Sequence, residues 1–304
     1  MKLFPHREFT YYFFGLRAGL ANLRVNGLRL GLKKTAGKIM QPINSYTRFP
    51  EYYWFDRTIR SYLAKIPSWR RPAVLDVGSP KMFGLYLAAQ NAVDLHLTDI
   101  SELNVDEYQV MWRALQGRAK SNVTFSLEDA RKLTFPSNSF DIVYSMSVLE
   151  HIDGERGDSV AIGEVLRVLK PGGLLILSVP FGREYVEQKR IGFSGAVRKT
   201  GDQQTYFFQR IYDQPMLQSR LVDHLANLQG IHMTTVQRIH SGFPRLFTSL
   251  GENVRGILGA LNPFLSALAN RSCSGIDSSF AMHYDDLHTA QDVYGDFIVA
   301  GVKS

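Results

Sequence analysis

Nine residues, Ala73-Val-Leu-Asp-Val-Gly-Ser-Pro-Lys81, limit what this chain can become more than any other stretch. A β-branched, apolar run holding a single acid ends on glycine and gives way to helical spacing. That is the pattern of a buried strand, a tight turn and a helix. It opens a parallel α/β sheet, and such sheets take ligands outside the carboxyl ends of their strands. Asp76 and Gly78 fall at that end, so the site is expected there.

The chain beyond it keeps the alternation. Met82 to Ala89 reads as a helix, Asp94 to Asp99 as a strand ending in an acid, Val105 to Leu115 as a helix, and Val123 to Leu127 as a strand followed by Glu128-Asp129. Phe140 to Met146 is a fourth strand. The stripe Ile162, Val165, Leu166, Leu169 predicts a helix closing at Pro171-Gly172-Gly173, before a fifth strand from Leu174 to Val179. Residues 182 to 205 read as a loop over the site. Asp213 to Leu228 has the signals of a helix, with Asp213 as N-cap and Pro215 in the first turn. Ile231 to Ile239 and Asp296 to Val302 supply the last two strands. Between them, residues 241 to 294 carry helical apolar spacing from Val254 to Leu268 and read as a helical insertion, a lid or a contact surface. The expected fold is α/β: a doubly wound, Rossmann-like, seven-stranded sheet with a helical N-terminal extension and a helical insertion before the last strand. The expected division is a basic extension over residues 1 to 70 and a second unit over 71 to 304, with its core motifs in 73 to 180.

Charge is unevenly placed. Residues 1 to 72 hold 14 Lys and Arg against 3 acids, whereas residues 73 to 180 hold 9 against 14. The basic segment favours an anionic partner such as a membrane surface, a nucleic acid or an acidic substrate, against the plain reading of a solvated face. Its stretch from Phe9 to Leu32 is helix-compatible, but Leu16, Leu20 and Leu23 share a face with Arg17 and Arg24, a poor pattern for a membrane-surface helix. A clean helical stripe follows at Phe55, Ile59, Tyr62, Leu63 and Ile66. Helices ahead of a first strand lie across the open end of the sheet, which puts Tyr46, Arg48 and Tyr53 within reach of a ligand there.

The single cysteine, Cys273, cannot close an internal disulfide, which points to a reducing compartment. The run Tyr11 to Phe14 is broken by Arg17 too early for a leader, and no stretch reaches the roughly 18 apolar residues of a membrane span. A cytoplasmic location is expected, with peripheral membrane attachment as the variant. His283 and His288 are spaced so that one helical face does not hold both, and no metal site is expected.

Three strand ends each present an acid: Asp76, Asp99 and Asp129. Parallel strands bring all three to one edge, which suits a ligand with hydroxyl and amine donors and a cationic centre. Asp99 follows Asp76 by 23 residues, close to the spacing at which an acid meets the hydroxyls of an adenosine ribose. Neither G-x-G-x-x-G nor G-x-x-x-x-G-K-[ST] follows the first strand, which disfavours NAD and a P-loop nucleotide.

With VLDVG (74 to 78), LTDIS (97 to 101), LEDARKLTFPSNSFDIVYSMSVLEHI (127 to 152) and EVLRVLKPGGLLILSVP (164 to 180), the chain resembles the class I S-adenosylmethionine-dependent methyltransferases of the type 11 group. The resemblance implies that Gly78 and Ser79 line the methionine portion of S-adenosylmethionine and that Asp76 contacts its ammonium end. It implies that Asp99 takes the ribose hydroxyls with Ile100 beside it, that Asp129 and Ala130 meet the adenine edge, and that Ser145 and Met146 flank the sulfonium. It also implies an enzyme, transferring methyl to an O or N atom of a small-molecule or lipid-linked acceptor. Glu150 and His151, just beyond the fourth strand, are the candidates for a general base, and Tyr46 and Arg48 for acceptor binding. The alternatives are an RNA methyltransferase, or a non-catalytic relative that binds RNA or anionic membrane through the basic segment; nucleic acid is the less favoured partner. The chain departs from the family where glycine normally recurs: Pro80 and Met82 stand there, and the next glycine is Gly84. Proline fixes φ and removes an N–H, so this loop cannot take a glycine-only conformation.

Overall fold

The computed structural model describes residues 10, 11, 13–15, 17, 18, 20, 48–115, 121–191, 205–237 and 295–304. Tyr46 and the expected insertion at 241–294 lie outside the described residues, as do His283 and His288. Seven strands form one sheet in the order β3-β2-β1-β4-β5-β9-β8. They are β1 (Ala73–Val77), β2 (Asp94–Asp99), β3 (Asn122–Leu127), β4 (Phe140–Met146), β5 (Leu169–Phe181), β8 (Leu228–Gln237) and β9 (Gly295–Lys303). Strands β1 to β5 pair in parallel, and β9 runs antiparallel between β5 and β8. The doubly wound α/β fold read from the sequence is the fold observed.

The central strands are continuous apolar runs because both faces are covered. All seven residues of β4 are buried, and so are Val74 to Val77 of β1. One face packs on α1 (Arg48–Leu63), α2 (Lys81–Gln90) and α3 (Glu102–Leu115), through Phe55, Ile59, Phe83, Leu87 and Trp112. The other packs on α4 (Gly157–Val168) and α5 (Gln214–Arg220), through Ile162, Val165, Leu217 and Leu221. The helical residues between 10 and 20 join the first layer: Tyr11, Phe14 and Ala18 are buried, and Tyr11 meets Tyr52 and Tyr86 edge-on at 5.6 and 4.8 Å.

Three expectations are corrected. The segment read as a loop contributes sheet: β6 (Val186–Ile191) pairs antiparallel with β7 (Thr205–Ile211). Charged residues in β6 hide its alternation, while Thr-Tyr-Phe-Phe in β7 is strand-forming. The Pro171-Gly172-Gly173 stop lies within β5, since α4 ends at Val168. Gly172 takes φ +74° where the pairing of β4 with β5 shifts register, so these glycines bend a strand instead of only closing a helix. The helix at Asp213 is N-capped by its carboxylate, which accepts from the Met216 amide, but it stops at Arg220. A 3₁₀ turn, Val222–Leu225, follows because Leu221 leaves helical geometry, and Leu217, Leu221 and Leu225 remain buried on one face.

Candidate active site

The loop after β1 is held by side chains where glycines would have left it free. Gly78 takes φ +70°, and a Cβ there would lie 2.7 Å from Val148 Cγ1. Ser79 donates its amide to Asp76 Oδ1 at 2.9 Å, and its hydroxyl accepts the Met146 amide at 2.9 Å. Pro80 caps α2, and Lys81, at the first position of that helix, turns its ammonium back to Asp76 Oδ1 at 3.0 Å and to the Ser79 carbonyl at 2.7 Å. Gly84 lies inside α2, where a Cβ would stand 2.3 Å from Leu97 Cδ2. It belongs to the contact of helix with sheet, not to the loop.

Neighbouring strand ends are tied into the same edge. The Gly78 amide donates to the Thr98 carbonyl, the Thr98 hydroxyl to the Asp76 carbonyl, and the Ser145 hydroxyl to the Val77 carbonyl. Ser145 and Met146 are both fully buried, so Ser145 joins β4 to β1. Asp99 ends β2 with 13% of its side chain exposed; its oxygens accept from the Ser101 amide and Asn104 Nδ2, and Lys81 Nζ lies 3.7 Å away. Ile100, next to it, is exposed. Asp129, after β3, is about a third exposed and accepts from Arg131, whose guanidinium holds its carboxyl below the ordinary value; the half-buried Ala130 stands between them. Asp76 has no exposed surface, and burial pushes its pKa up against the opposing pull of Lys81. The half-buried Tyr108 is pushed up to about 12 by desolvation and then by Asp99 and Asp76.

Past β4 the chain turns through a 3₁₀ segment, Leu149–His151. Glu150 is buried, whereas the imidazole of His151 is partly exposed. Its Nδ1 lies 2.7 Å from the Phe208 carbonyl on β7, which assigns the proton to Nδ1, and Nε2 lies 3.7 Å from Glu150 Oε1. Arg210 on β7 fixes this corner by donating to the Ile152 and Gly154 carbonyls. Arg48 is the first residue of α1, and Tyr53, one turn on, is half-buried.

Two residues at this edge went unread in the sequence. Lys81 carried a signal, a cation between the two positions where glycine was expected. Glu51 carried little: it is one acid beside the aromatic run Tyr52-Tyr53-Trp54-Phe55. It is fully buried, and Oε1 accepts the hydroxyls of Ser147 and Ser178, each at 2.8 Å, at the ends of β4 and β5. Ser147 adopts φ +50°, a conformation that costs a side-chain-bearing residue roughly 1–3 kcal/mol and persists only where its surroundings over-determine it.

A family model described as a methyltransferase domain, Methyltransf_11, matches residues 75–177, the stretch from β1 to β5 that builds this edge. Over those residues the chain is similar to the class I S-adenosylmethionine-dependent methyltransferases. It is 31% identical over 158 residues to sterol 24-C-methyltransferase ERG6B of Gibberella zeae, covering 48% of this chain and 40% of that protein. It is 31% identical over 105 residues to phosphoethanolamine N-methyltransferase of Triticum aestivum, covering 34% and 20%. The match thus spans less than half the length of these curated relatives. The crystal structure of the MccD protein shares the fold at 15% identity and a TM-score of 0.51, over 83% of this chain and 96% of that one.

The residues suit the adenosine half of the family's cofactor. A partly exposed carboxylate ends β2, an exposed isoleucine follows it, and a second carboxylate follows β3. On the methionine side, Asp76 is buried beneath the loop and bonded to Lys81. Among the described residues, no group of His, Cys, Asp and Glu is arranged to hold a metal ion, and no helix is long and apolar enough to cross a membrane.

Proposed function

We propose that the chain transfers the methyl group of S-adenosylmethionine to an oxygen or nitrogen atom of a small-molecule or lipid-linked acceptor. The observation that carries this reading is the convergence of Gly78, Asp99 and Asp129 on the carboxyl edge of the parallel strands, within the stretch that matches the family. In it Asp99 holds the ribose hydroxyls with Ile100 beside it, Asp129 and Ala130 meet the adenine edge, and Gly78 and Ser79 line the methionine portion. Asp76 and Ser145 act through the backbone they hold. When bound, the cofactor supplies a methyl group activated on a sulfonium. The protein's share is alignment of the acceptor and exclusion of water, worth up to roughly 7–11 kcal/mol.

Where the accepting atom must lose a proton, His151 is the base, its Nδ1–H held by the Phe208 carbonyl so that Nε2 carries the lone pair. Glu150, with Oε1 3.7 Å from Nε2, stabilises the imidazolium once that proton is taken, and Tyr46 and Arg48 serve the acceptor side. Residues 71–304 form the methyltransferase domain in this reading, and residues 1–70 an extension whose basic character suits contact with an anionic membrane from the cytoplasm. The names of the relatives, a sterol and a phosphoethanolamine methyltransferase, support a small acceptor.

Equilibrium binding of radiolabelled S-adenosylmethionine tests the site. Asp99→Ala is expected to weaken binding about tenfold or more, since a charge-assisted hydrogen bond contributes about 1.5–3 kcal/mol. An Asp99→Ala protein that binds as tightly as wild type sinks the assignment.

A further inference from the structure

Lys81 sits between Pro80 and Met82, the two positions where the family pattern has glycine, and only 2% of its side chain is exposed. A lysine this deep is retained when its charge is paired and its protons are bonded. Its ammonium meets Asp76 Oδ1 at 3.0 Å and the Ser79 carbonyl at 2.7 Å, and lies 3.7 Å from Asp99 Oδ2. The two acids come from neighbouring parallel strands, with Asp76 of β1 opposite Leu97 of β2 and Asp99 two residues further along β2. The edge that reads as two carboxylates in the sequence is therefore two carboxylates with a cation fixed between them, carrying one net negative charge where a glycine loop would leave two.

Resting on the reading of this edge as the cofactor pocket, we infer that Lys81 is a specificity-determining residue. It is a built-in counter-cation that lowers the pocket's preference for the sulfonium of S-adenosylmethionine over the neutral thioether S-adenosylhomocysteine. The two ligands share adenosine, carboxylate and ammonium, and differ by one methyl group and one positive charge. A fixed charge near the pocket therefore acts on their ratio, whereas shape and hydrogen bonding act mainly on both together. The consequence for turnover is a thioether product that competes better against the sulfonium than it would with the two acids alone.

The charge of Lys81 can be read without stranding a buried carboxylate. Asp76→Asn keeps an oxygen for Ser79 and Lys81 and removes one negative charge, and Asp76→Asn with Lys81→Met removes the pair. Isothermal titration of both ligands into the full chain, with thermal melts to establish folding, gives the dissociation-constant ratio for each. Asp76→Asn is expected to shift the ratio toward the thioether by about tenfold, the effect of one unit charge at roughly 10 Å and an effective dielectric near 20. The double variant should return it to within about twofold of wild type. Equal ratios in all three proteins overturn the inference. Should Asp76→Asn fail to fold, Lys81→Gln reads the same quantity, with a shift toward the sulfonium expected and no shift overturning it. Wild type that binds neither ligand overturns the cofactor reading itself, a result distinct from binding with an unmoved ratio.

Discussion

Gly78 is the residue on which the loop after β1 turns. Its φ of +70° lies where a Cβ costs about 1–2 kcal/mol, and the Val148 side chain occupies the space that Cβ would need. Gly78→Ala is therefore expected to lose about 2 kcal/mol or more, seen in urea as a lower midpoint at unchanged slope. A midpoint within error of wild type would show that the loop can re-form around a β-carbon. The same residue illustrates what sequence can deliver: strand, turn and glycine are local chemistry, so VLDVG could be placed by pattern. Lys81 could be seen as a departure but not understood, because its meaning depends on Asp99 on another strand and on burial by α2. Glu51 lies at 96 residues' remove from Ser147, and no local pattern announces a contact of that range.

At the scale of elements, the strands and their order of appearance were legible because both-face burial writes continuous apolar runs. The β6–β7 pair was not, since its pairing is antiparallel over a short distance and its outward residues are charged. What anchors α4 was equally invisible, being made of side chains reaching the backbone of the segment before β4. Arg167 donates to the Leu133 and Phe135 carbonyls while Glu164 accepts the Leu133 amide and the Arg167 guanidinium. The Arg167 hydrogen bonds hold the Glu164 carboxyl below its ordinary value of 4.5, with the Leu133 amide adding to the effect. A carboxyl lowered on folding stabilises the native state above its unfolded pKa, and that contribution is lost as pH falls through the lowered folded value. Glu164→Gln should therefore be less stable than wild type at pH 7, with the gap narrowing as pH drops below about 4.5. Chemical denaturation at pH 7, 5 and 3.5 follows the gap, and a difference independent of pH would remove the charge of Glu164 from the account.

Across the whole molecule, the lopsided charge invites a view of the N-terminal segment as an arm reaching for an anion, yet part of it is structural. Tyr11 is 2% exposed, packs edge-on against Tyr52 and Tyr86, and donates its hydroxyl to Asp56 Oδ2 at 3.2 Å. Asp56, itself fully buried, accepts from Arg60, whose guanidinium also reaches the Tyr86 hydroxyl, so one polar chain links this segment to α1 and α2. Because α1 also carries Glu51 to the ends of β4 and β5, loosening this layer acts on the candidate site from 40 residues away in sequence. Tyr11→Ala empties an aromatic-sized space and strips Asp56 of a donor, at a cost of about 3–5 kcal/mol. Tyr11→Phe keeps the packing and should cost about 1 kcal/mol. Thermal and urea unfolding of the two variants separates packing from hydrogen bonding. If Tyr11→Ala unfolds like wild type, residues 10–20 are an arm after all, and the basic segment is free to serve a partner without disturbing the fold.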